Sequence, residues 1–153
     1  MKRVLITGVS GAGKSTVVRE LARVGFKAID LDDGWCEAAG DGRQRWREDA
    51  VEELLATEDA YVLFVAGCES NQVKFYARFD HVVLLTAPVE VIVERLRTRT
   101  DNPFGKETHE LARVIRDQGD VEPLLRRAAG YEIATTQPLA AVVAQLVALV
   151  APR

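Results

Sequence analysis

Two kinds of apolar pattern alternate along the chain. Short, nearly continuous apolar runs occur at 4–7, 26–31, 61–66, 81–86 and 131–135. Between them, apolar residues recur at helical spacing, which predicts helices over 14–24, 43–57, 72–78, 88–99, 107–127 and 138–150, with a break near Gly119 and Pro123. Strands that alternate with helices are typical of βαβ units around a parallel sheet. The pattern therefore predicts an α/β fold with five parallel strands.

One of these runs has a special place in the predicted sheet. Residues 61–66 are almost wholly apolar, whereas the other runs include polar positions. A central parallel strand is buried on both faces and shows such a continuous apolar sequence. We expect 61–66 to be the core strand.

Length and charge restrict the possible functions. The 153 residues and a formal net charge of −3 predict a single domain, residues 1–153, with no general electrostatic attraction to nucleic acid or to an anionic membrane. The first apolar stretch is too short for a signal-peptide core or a membrane span. Cys36 and Cys68 show no metal-type spacing. We expect a cytoplasmic monomer or homodimer.

Residues 8–16 carry the strongest chemical signal. They have the sequence Gly-Val-Ser-Gly-Ala-Gly-Lys-Ser-Thr, which satisfies G-x-x-x-x-G-K-[ST] between a predicted strand and a predicted helix. Glycines allow the backbone N–H groups to surround an anion, and the helix directs its positive end at the same place. The alternative is a Gly-rich turn that happens to precede a lysine. The pattern favours a triphosphate site formed by Gly8, Val9, Ser10, Gly11, Ala12, Gly13, Lys14, Ser15 and Thr16.

The order of these motifs resembles the small P-loop kinases of the shikimate, gluconate and adenylate kinase group, over the whole chain. The resemblance implies a three-layer P-loop NTPase fold, with a five-stranded parallel sheet in the order 2-3-1-4-5, helices on both faces and a short lid at about 100–107. It also implies ATP and Mg²⁺ as cofactors, with Lys14 contacting the phosphates. No N-K-x-D guanine motif occurs in the sequence, which disfavours GTPases of the Ras type.

Two acids follow the second predicted strand. Asp30 and Asp32 are two residues apart, so they project from the same side of a strand. They resemble the D-x-D of shikimate kinases, which implies that Asp30 holds the metal together with Ser15 and that Asp32 is the catalytic base. The alternative is a polar strand exit. Polynucleotide kinases place Tyr-Arg after a similar acid pair, and this chain has Gly34-Trp35 there.

Cations and a loop on the nucleotide side complete the predicted site. Arg95 and Arg99 share one helix face, and the resemblance implies that both assist catalysis beside the nucleotide. The alternative is a solvated charged face. The lid has Asn102-Pro103 where shikimate kinases have Arg-Pro, so Lys106 or Arg99 would have to replace that arginine. The nucleotide-binding candidates beyond the loop at 8–16 are Arg95, Gln137 and Pro138.

The acceptor side matches the family less well. Shikimate kinases have three glycines where this chain has Gly67-Cys68-Glu69, and Gly67-Cys68-x-Ser70 is closer to gluconate kinases. Glu69 is either an acceptor contact or a solvated turn residue. Trp46-Arg47 resembles the Phe-Arg of shikimate kinases, which implies that Arg47 holds an anionic group on the acceptor. The acceptor-binding candidates are Asp32, Trp46, Arg47 and Glu69.

Together these observations predict an ATP-dependent small-molecule kinase that transfers the γ-phosphoryl group to an acceptor hydroxyl. A nucleoside monophosphate kinase or a polynucleotide 5′-hydroxyl kinase is the first alternative. The scarcity of lid arginines argues against the former, and the acidic charge balance argues against the latter. The second alternative is an ATP-binding regulatory domain without significant turnover, which the missing lid arginine keeps open.

Overall fold

The computed structural model describes residues 1–100 and 102–152. The strands in this part of the chain are β1 (Lys2–Thr7), β2 (Lys27–Asp30), β3 (Cys36–Ala38), β4 (Gln44–Trp46), β5 (Val62–Ala66), β6 (His81–Thr86) and β7 (Tyr131–Ala134). The α-helices are α1 (Lys14–Arg23), α2 (Glu48–Leu55), α3 (Val89–Thr98), α4 (Thr108–Asp120), α5 (Glu122–Ala128) and α6 (Leu139–Val150). A 3₁₀ helix covers Ser70–Arg78. Asp101, which belongs to the predicted lid, and Arg153 lie outside the described residues.

The main sheet confirms the predicted topology. Its strands run in the order β2-β5-β1-β6-β7, and all four pairings are parallel. Counted among the five sheet strands alone, this is the order 2-3-1-4-5. Every residue of β5 is buried, because the strand lies between two neighbours and is covered on both faces.

Helices cover the sheet on both faces, as predicted. On one face α1 and α6 pack on a core that includes Val4, Ile6 and Phe64. On the other face α2 and the 3₁₀ helix pack on a core that includes Leu5 and Val65. Alternate residues of β1 therefore point into the cores on opposite faces of the sheet, as strand geometry requires. A third cluster joins α3 and α4 beside the loop after β1.

The segment between β2 and α2 differs from the sequence-based expectation. The predicted helix 43–57 is wrong in its first part, because residues 36–38 and 44–46 form an antiparallel hairpin instead. Gly40 and Gly42 adopt φ angles of 88° and 79° in its turn, which favours reversal of the chain over a helix. In β4 only Trp46 is buried. The helix α2 therefore begins at Glu48.

Asn71 attaches this hairpin to the 3₁₀ helix. Its side-chain carbonyl accepts the N–H of Trp46 at 3.0 Å, and its amide donates to the Trp46 carbonyl at 2.9 Å. The Asn71 side chain thus makes the two backbone hydrogen bonds that a neighbouring strand would otherwise make with Trp46 in β4. A contact between residues 25 positions apart in the sequence has no local signature, so the helical spacing of apolar residues was misleading here.

The remaining predicted elements agree with the structure within one or two residues. The predicted break in 107–127 falls at Val121, between α4 and α5, with Pro123 in the first turn of α5. Gly25 has a φ of 104° just after α1, in the C-terminal capping role expected for it. Within residues 1–100 and 102–152, no helix combines the length and the apolar character needed to cross a membrane.

Candidate active site

The loop between β1 and α1 folds around its glycines. Gly11 and Gly13 have φ angles of 85° and 107°, where residues with a Cβ are strained. A Cβ on Gly11 would lie 2.9 Å from the Ile92 side chain, and one on Gly8 would lie 2.7 Å from the Leu85 carbonyl oxygen. The loop is therefore packed tightly against β6 and α3, and glycine is required for space as well as for conformation.

Lys14 lies at the centre of this loop. Its ammonium group donates to the carbonyls of Gly8 at 2.5 Å and Val9 at 3.0 Å, and the residue is 8% exposed. The loop carbonyls thus hold a buried ammonium group in the wall of a cleft. It is positioned to neutralise the phosphates of a nucleotide.

Ser15 and Asp30 meet at the predicted metal position. The Ser15 hydroxyl donates to Asp30 Oδ2 at 2.7 Å, while Asp30 Oδ1 accepts the N–H of Asp32 at 3.0 Å. A hydroxyl and a carboxylate beside a phosphate loop are the hard oxygen ligands that Mg²⁺ prefers. The residues present fit this ion.

Asp32 follows the strand rather than belonging to it. Since β2 ends at Asp30, Asp32 lies in a turn, but it still lines the same cleft as Lys14. Desolvation raises the pKa of Asp32 above its usual range, and Asp30 adds to this effect. Lys14 and Arg99 act in the opposite direction. The net increase makes the Asp32 carboxylate a better proton acceptor.

Arg95 is fixed against the phosphate loop. Its guanidinium donates to the Gly11 carbonyl at 3.1 Å, to Thr135 Oγ1 at 2.9 Å and to the Thr135 carbonyl at 2.7 Å. Thr135 in turn donates to the Ala12 carbonyl at 2.7 Å. Desolvation lowers the pKa of Arg95. These contacts hold Arg95 beside the loop in one orientation.

Arg99 lies at the end of α3, where the lid begins. Its Nε donates to the Asn102 carbonyl at 3.0 Å, and its guanidinium also donates to the Phe104 carbonyl. Lys106 instead donates to the carbonyls of Leu96 and Arg97 at the end of α3, at 3.3 and 2.9 Å. Of the two cations considered as a replacement for the lid arginine, Arg99 is the one that lines the cleft.

A cleft of about 690 Å³ joins these groups. It is large enough for a nucleotide-sized ligand. Gln137 lines it, and its side-chain amide donates to the Ala134 carbonyl at 2.8 Å. Pro138 is absent from the cleft wall and precedes α6. The predicted site residues that line the cleft are Ser10, Gly11, Gly13, Lys14, Ser15, Thr16, Asp32, Arg95, Arg99 and Gln137.

Glu69 lies on the acceptor side, next to Asp32. The carboxylates of Asp32 and Glu69 and the thiol of Cys36 lie within 4.8 Å of one another. Desolvation raises the pKa of Glu69 to about 7, and Asp32 contributes to this shift. Burial raises the pKa of Cys36 to about 12, and its thiol donates to the Leu31 carbonyl at 3.3 Å. Cys36 is therefore a neutral thiol at physiological pH.

Trp46 and Arg47 have different positions from those expected. Trp46 is fully buried below the end of β5, where a Cβ on Gly67 would lie 2.9 Å from its ring. The Trp46 ring packs against Gly67 in the core and is not exposed at the predicted acceptor site. Arg47 is exposed and donates to the Gly34 carbonyl at 3.2 Å.

Two residues at the site were not identified from the sequence as functional. Cys36 lies within 4.8 Å of Asp32 and Glu69, and the Gln72 side-chain carbonyl accepts the backbone N–H of Glu69. Each is a neutral residue whose role depends on a distant contact. Thr135, which joins Arg95 to the phosphate loop, lies in the segment after the fifth strand that the resemblance places beside the nucleotide.

Comparisons with known proteins show which family the chain resembles. A family model described as an AAA domain matches residues 4–116. The chain is 33% identical to a shikimate kinase of Halorhodospira halophila over 150 residues, which cover 88% of this chain and 84% of the relative. It is 30% identical to a shikimate kinase of Chlorobium chlorochromatii over 148 residues, covering 86% and 78%.

The chain belongs to the small P-loop kinases of the shikimate kinase group. Solved structures support the fold. A shikimate kinase from Bacteroides thetaiotaomicron superposes with a TM-score of 0.68 at 24% identity, covering 97% of each chain. A gluconokinase from Sinorhizobium meliloti superposes with a TM-score of 0.62 at 21% identity, covering 97% of this chain and 91% of that one.

This P-loop kinase is therefore an ATP-dependent enzyme that phosphorylates a hydroxyl group of a small molecule, and it uses Mg²⁺. The leading hypothesis from the sequence is confirmed at that level.

Proposed function

We propose that this kinase places the γ-phosphoryl group of ATP between Lys14 and Asp32, and that Asp32 is the base for the acceptor hydroxyl. The observation that carries the proposal is that both residues line one cleft, together with Arg95 and Arg99. The ammonium group of Lys14 and the guanidinium groups of Arg95 and Arg99 are positively charged and attract the triphosphate. The N–H groups of the loop add hydrogen-bond donors. Asp32 lies across the γ-phosphoryl group from Lys14 in this arrangement.

The reaction follows from these positions. The acceptor oxygen attacks the γ-phosphorus while the bond from that phosphorus to the β,γ-bridging oxygen breaks, and ADP leaves. The acceptor proton passes to the Asp32 carboxylate, whose raised pKa favours the transfer. Arg95 and Arg99 stabilise the charge that develops on the transferring group.

Ser15 and Asp30 are the residues that would hold Mg²⁺, on the strength of their direct contact beside the loop. When bound, the ion neutralises charge on the phosphate oxygens. Asp30 also orients the Asp32 backbone through its second oxygen. Thus Asp30 connects the metal position to the base.

For the acceptor, we propose a small hydroxyl compound bound between Asp32, Glu69 and Arg47. The Acinetobacter baumannii shikimate kinase, whose structure contains shikimate, has the same fold. This chain has Glu69 where shikimate kinases have a glycine, which argues against shikimate as the acceptor. We also propose that residues 1–153 form one domain, and that the enzyme works in the cytoplasm, since Cys36 and Cys68 are both free thiols.

An acceptor panel tests this proposal. ADP release is measured with Mg²⁺ and ATP in the presence of cyclic polyols, sugar acids, amino sugars and nucleoside monophosphates. One class should stimulate ADP release far above the background, with mass spectrometry showing the phosphorylated acceptor. Tight ATP binding without stimulation by any class would instead support a regulatory domain.

A further inference from the structure

Thr135 directly follows β7, and the main sheet fixes its position. Its backbone N–H donates to the Thr86 carbonyl at 2.8 Å, which continues the pairing of β7 with β6 one residue beyond the strand. Thr135 lines the cleft and packs beside Gly13, where an added Cβ would lie 3.7 Å from the Thr135 Cβ and Cγ2 atoms. Thr135 therefore presents its hydroxyl to the phosphate loop from the edge of the sheet.

The Thr135 hydroxyl connects α3 to the phosphate loop. It accepts a hydrogen bond from Arg95 Nη1 at 2.9 Å and donates to the Ala12 carbonyl at 2.7 Å. The Thr86 carbonyl lies farther from it, at 3.2 Å. Since a hydroxyl has a single hydrogen to donate, the shorter contact with Ala12 takes it. The hydroxyl is thus used both as a donor and as an acceptor.

Arg95 is held along one edge of its guanidinium group. In addition to the Thr135 hydroxyl, it contacts the Thr135 carbonyl at 2.7 Å through Nη2 and the Gly11 carbonyl at 3.1 Å through Nη1. Most of these bonds therefore go to Thr135. A guanidinium group has more N–H donors than these bonds use, so its other edge can contact a ligand in the cleft that Arg95 lines.

The bond from the hydroxyl to Ala12 acts on the loop itself. The Ala12 carbonyl and the Gly13 N–H belong to the same peptide plane, and in a trans peptide they point in opposite directions. Fixing the carbonyl at Thr135 therefore also fixes the direction of the Gly13 N–H. That N–H belongs to the loop predicted to surround the phosphates.

We propose that Thr135 is a positioning residue for phosphoryl transfer, whose hydroxyl aims the other edge of Arg95 at the γ-phosphoryl group and orients the Gly13 N–H. This inference rests on the proposed function, which gives Arg95 its role in stabilising the transferring group. Thr135 reaches the reaction through Arg95 and the loop. Its loss should therefore slow the chemical step more than it weakens ATP binding.

Thr135→Val is the informative variant, because it removes the hydroxyl and keeps the branched shape of the side chain. With the best acceptor of the panel, we expect kcat to fall about tenfold, as for the loss of a hydrogen bond to a charged group, while KM for ATP changes by less than about threefold. Thr135→Ser keeps the hydroxyl, so its kcat should stay within about twofold of the unmodified enzyme.

Thr57 offers a matched control. Its hydroxyl also accepts a hydrogen bond from a cation, Lys27 Nζ at 3.3 Å, and donates to a carbonyl, that of Leu54 at 2.7 Å. Lys27 begins β2, so these contacts lie at the end of the sheet opposite the cleft. Thr57→Val should lower the stability of the fold and leave kcat and KM for ATP unchanged. Thermal melting of each variant establishes that it is folded.

A double-mutant cycle with Arg95→Met tests whether Thr135 acts through Arg95. If it does, Thr135→Val should lower kcat by less than about threefold in the Arg95→Met background, because the group that the hydroxyl positions is absent. A role in folding alone would give the same loss in both backgrounds. Should Thr135→Val not fold, Thr135→Ala takes its place in the cycle.

The outcomes separate this inference from the proposed function. If Thr135→Val keeps a normal kcat, if Thr135→Ser loses as much as Thr135→Val, or if the losses of Thr135→Val and Arg95→Met add fully, the positioning role is overturned and the kinase mechanism stands. If Arg95→Met keeps normal turnover, or if no compound of the panel is phosphorylated although ATP binds, the proposed function fails as stated, and this inference fails with it.

Discussion

The nucleotide side and the acceptor side of the cleft are built in different ways. On the nucleotide side, Lys14 and Ser15 follow directly from a loop of nine consecutive residues between β1 and α1. On the proposed acceptor side, Asp32 comes from a turn that lines the cleft, and the neighbouring Cys36 and Glu69 come from a hairpin and the exit of β5. The first side is local in sequence and common to the group. The second is assembled from distant segments of the chain.

This difference suggests how the two sides should respond to substitution. Changes on the nucleotide side should weaken ATP binding and the chemical step together. Changes on the acceptor side should affect turnover or acceptor choice and leave ATP binding nearly unchanged. The predictions below test that separation, from the largest expected effect to the smallest.

Lys14→Ala should have the largest effect, a loss of turnover of about 10³-fold, because it removes the ammonium that stabilises the charge on the phosphates. ADP release with the best acceptor of the panel measures this loss. Lys74→Ala is the matched control, since Lys74 is exposed and pairs with Glu48 in a surface ion pair of small energy. Near-normal turnover in Lys14→Ala would refute the mechanism.

Asp32→Asn should lower kcat by about 10²-fold, because the amide cannot accept the acceptor proton. The affinity for ATP should stay within about twofold, since we place Asp32 beside the acceptor. Steady-state kinetics and calorimetry together measure the split. Asp33→Asn, at the exposed neighbouring position, should behave like the unmodified enzyme. A parallel loss of ATP affinity in Asp32→Asn would mean that the two sides are not separate.

The same division explains what the sequence could predict. The number and positions of the five sheet strands follow from the apolar runs, whereas the strand order and the pairing of Ser15 with Asp30 were implied by the resemblance to the small P-loop kinases. The hairpin 36–46 could not be predicted, because Asn71 holds it in place from 25 residues away. The burial of Trp46 also depends on contacts with Gly67 and Phe75, which lie in other elements. Long-range contacts of this kind leave no periodic signal.

Gly67→Ala should destabilise the fold by about 1 to 3 kcal/mol, because the new Cβ would lie 2.9 Å from the Trp46 ring in a packed core. Chemical denaturation measures the change. The matched control is Gly119→Ala in α4, where a Cβ meets nothing within 4 Å. That change should instead stabilise the protein by about 0.5 to 1 kcal/mol, as in an exposed helix. Equal effects of the two changes would contradict the packing of Trp46 below β5.

Glu69→Gln should have the smallest effect, and one that depends on pH. Because the pKa of Glu69 is about 7 in the folded protein and 4.5 as the model-peptide value, its contribution to stability is complete below pH 4.5 and decreases as the pH rises through 7. The variant lacks this decrease. At pH 8 it should be more stable than the unmodified protein by about 1 kcal/mol, after allowance for partial exposure of the carboxyl.

Denaturation at pH 4.5, 6 and 8 measures this difference. The advantage of Glu69→Gln should be near zero at the lowest pH and greatest at the highest. An advantage that is the same at all three values would mean that the Glu69 carboxyl is not desolvated in the folded protein.

Calorimetry of Mg²⁺–ATP binding is the most direct test of the central claim, that the loop around Lys14 holds the triphosphate on one side of a cleft whose other side binds the acceptor. We expect one exothermic site in the unmodified protein, a similar site in Asp32→Asn, and an affinity at least about 30-fold lower in Lys14→Ala. The absence of any binding heat in the folded, unmodified protein would contradict that claim.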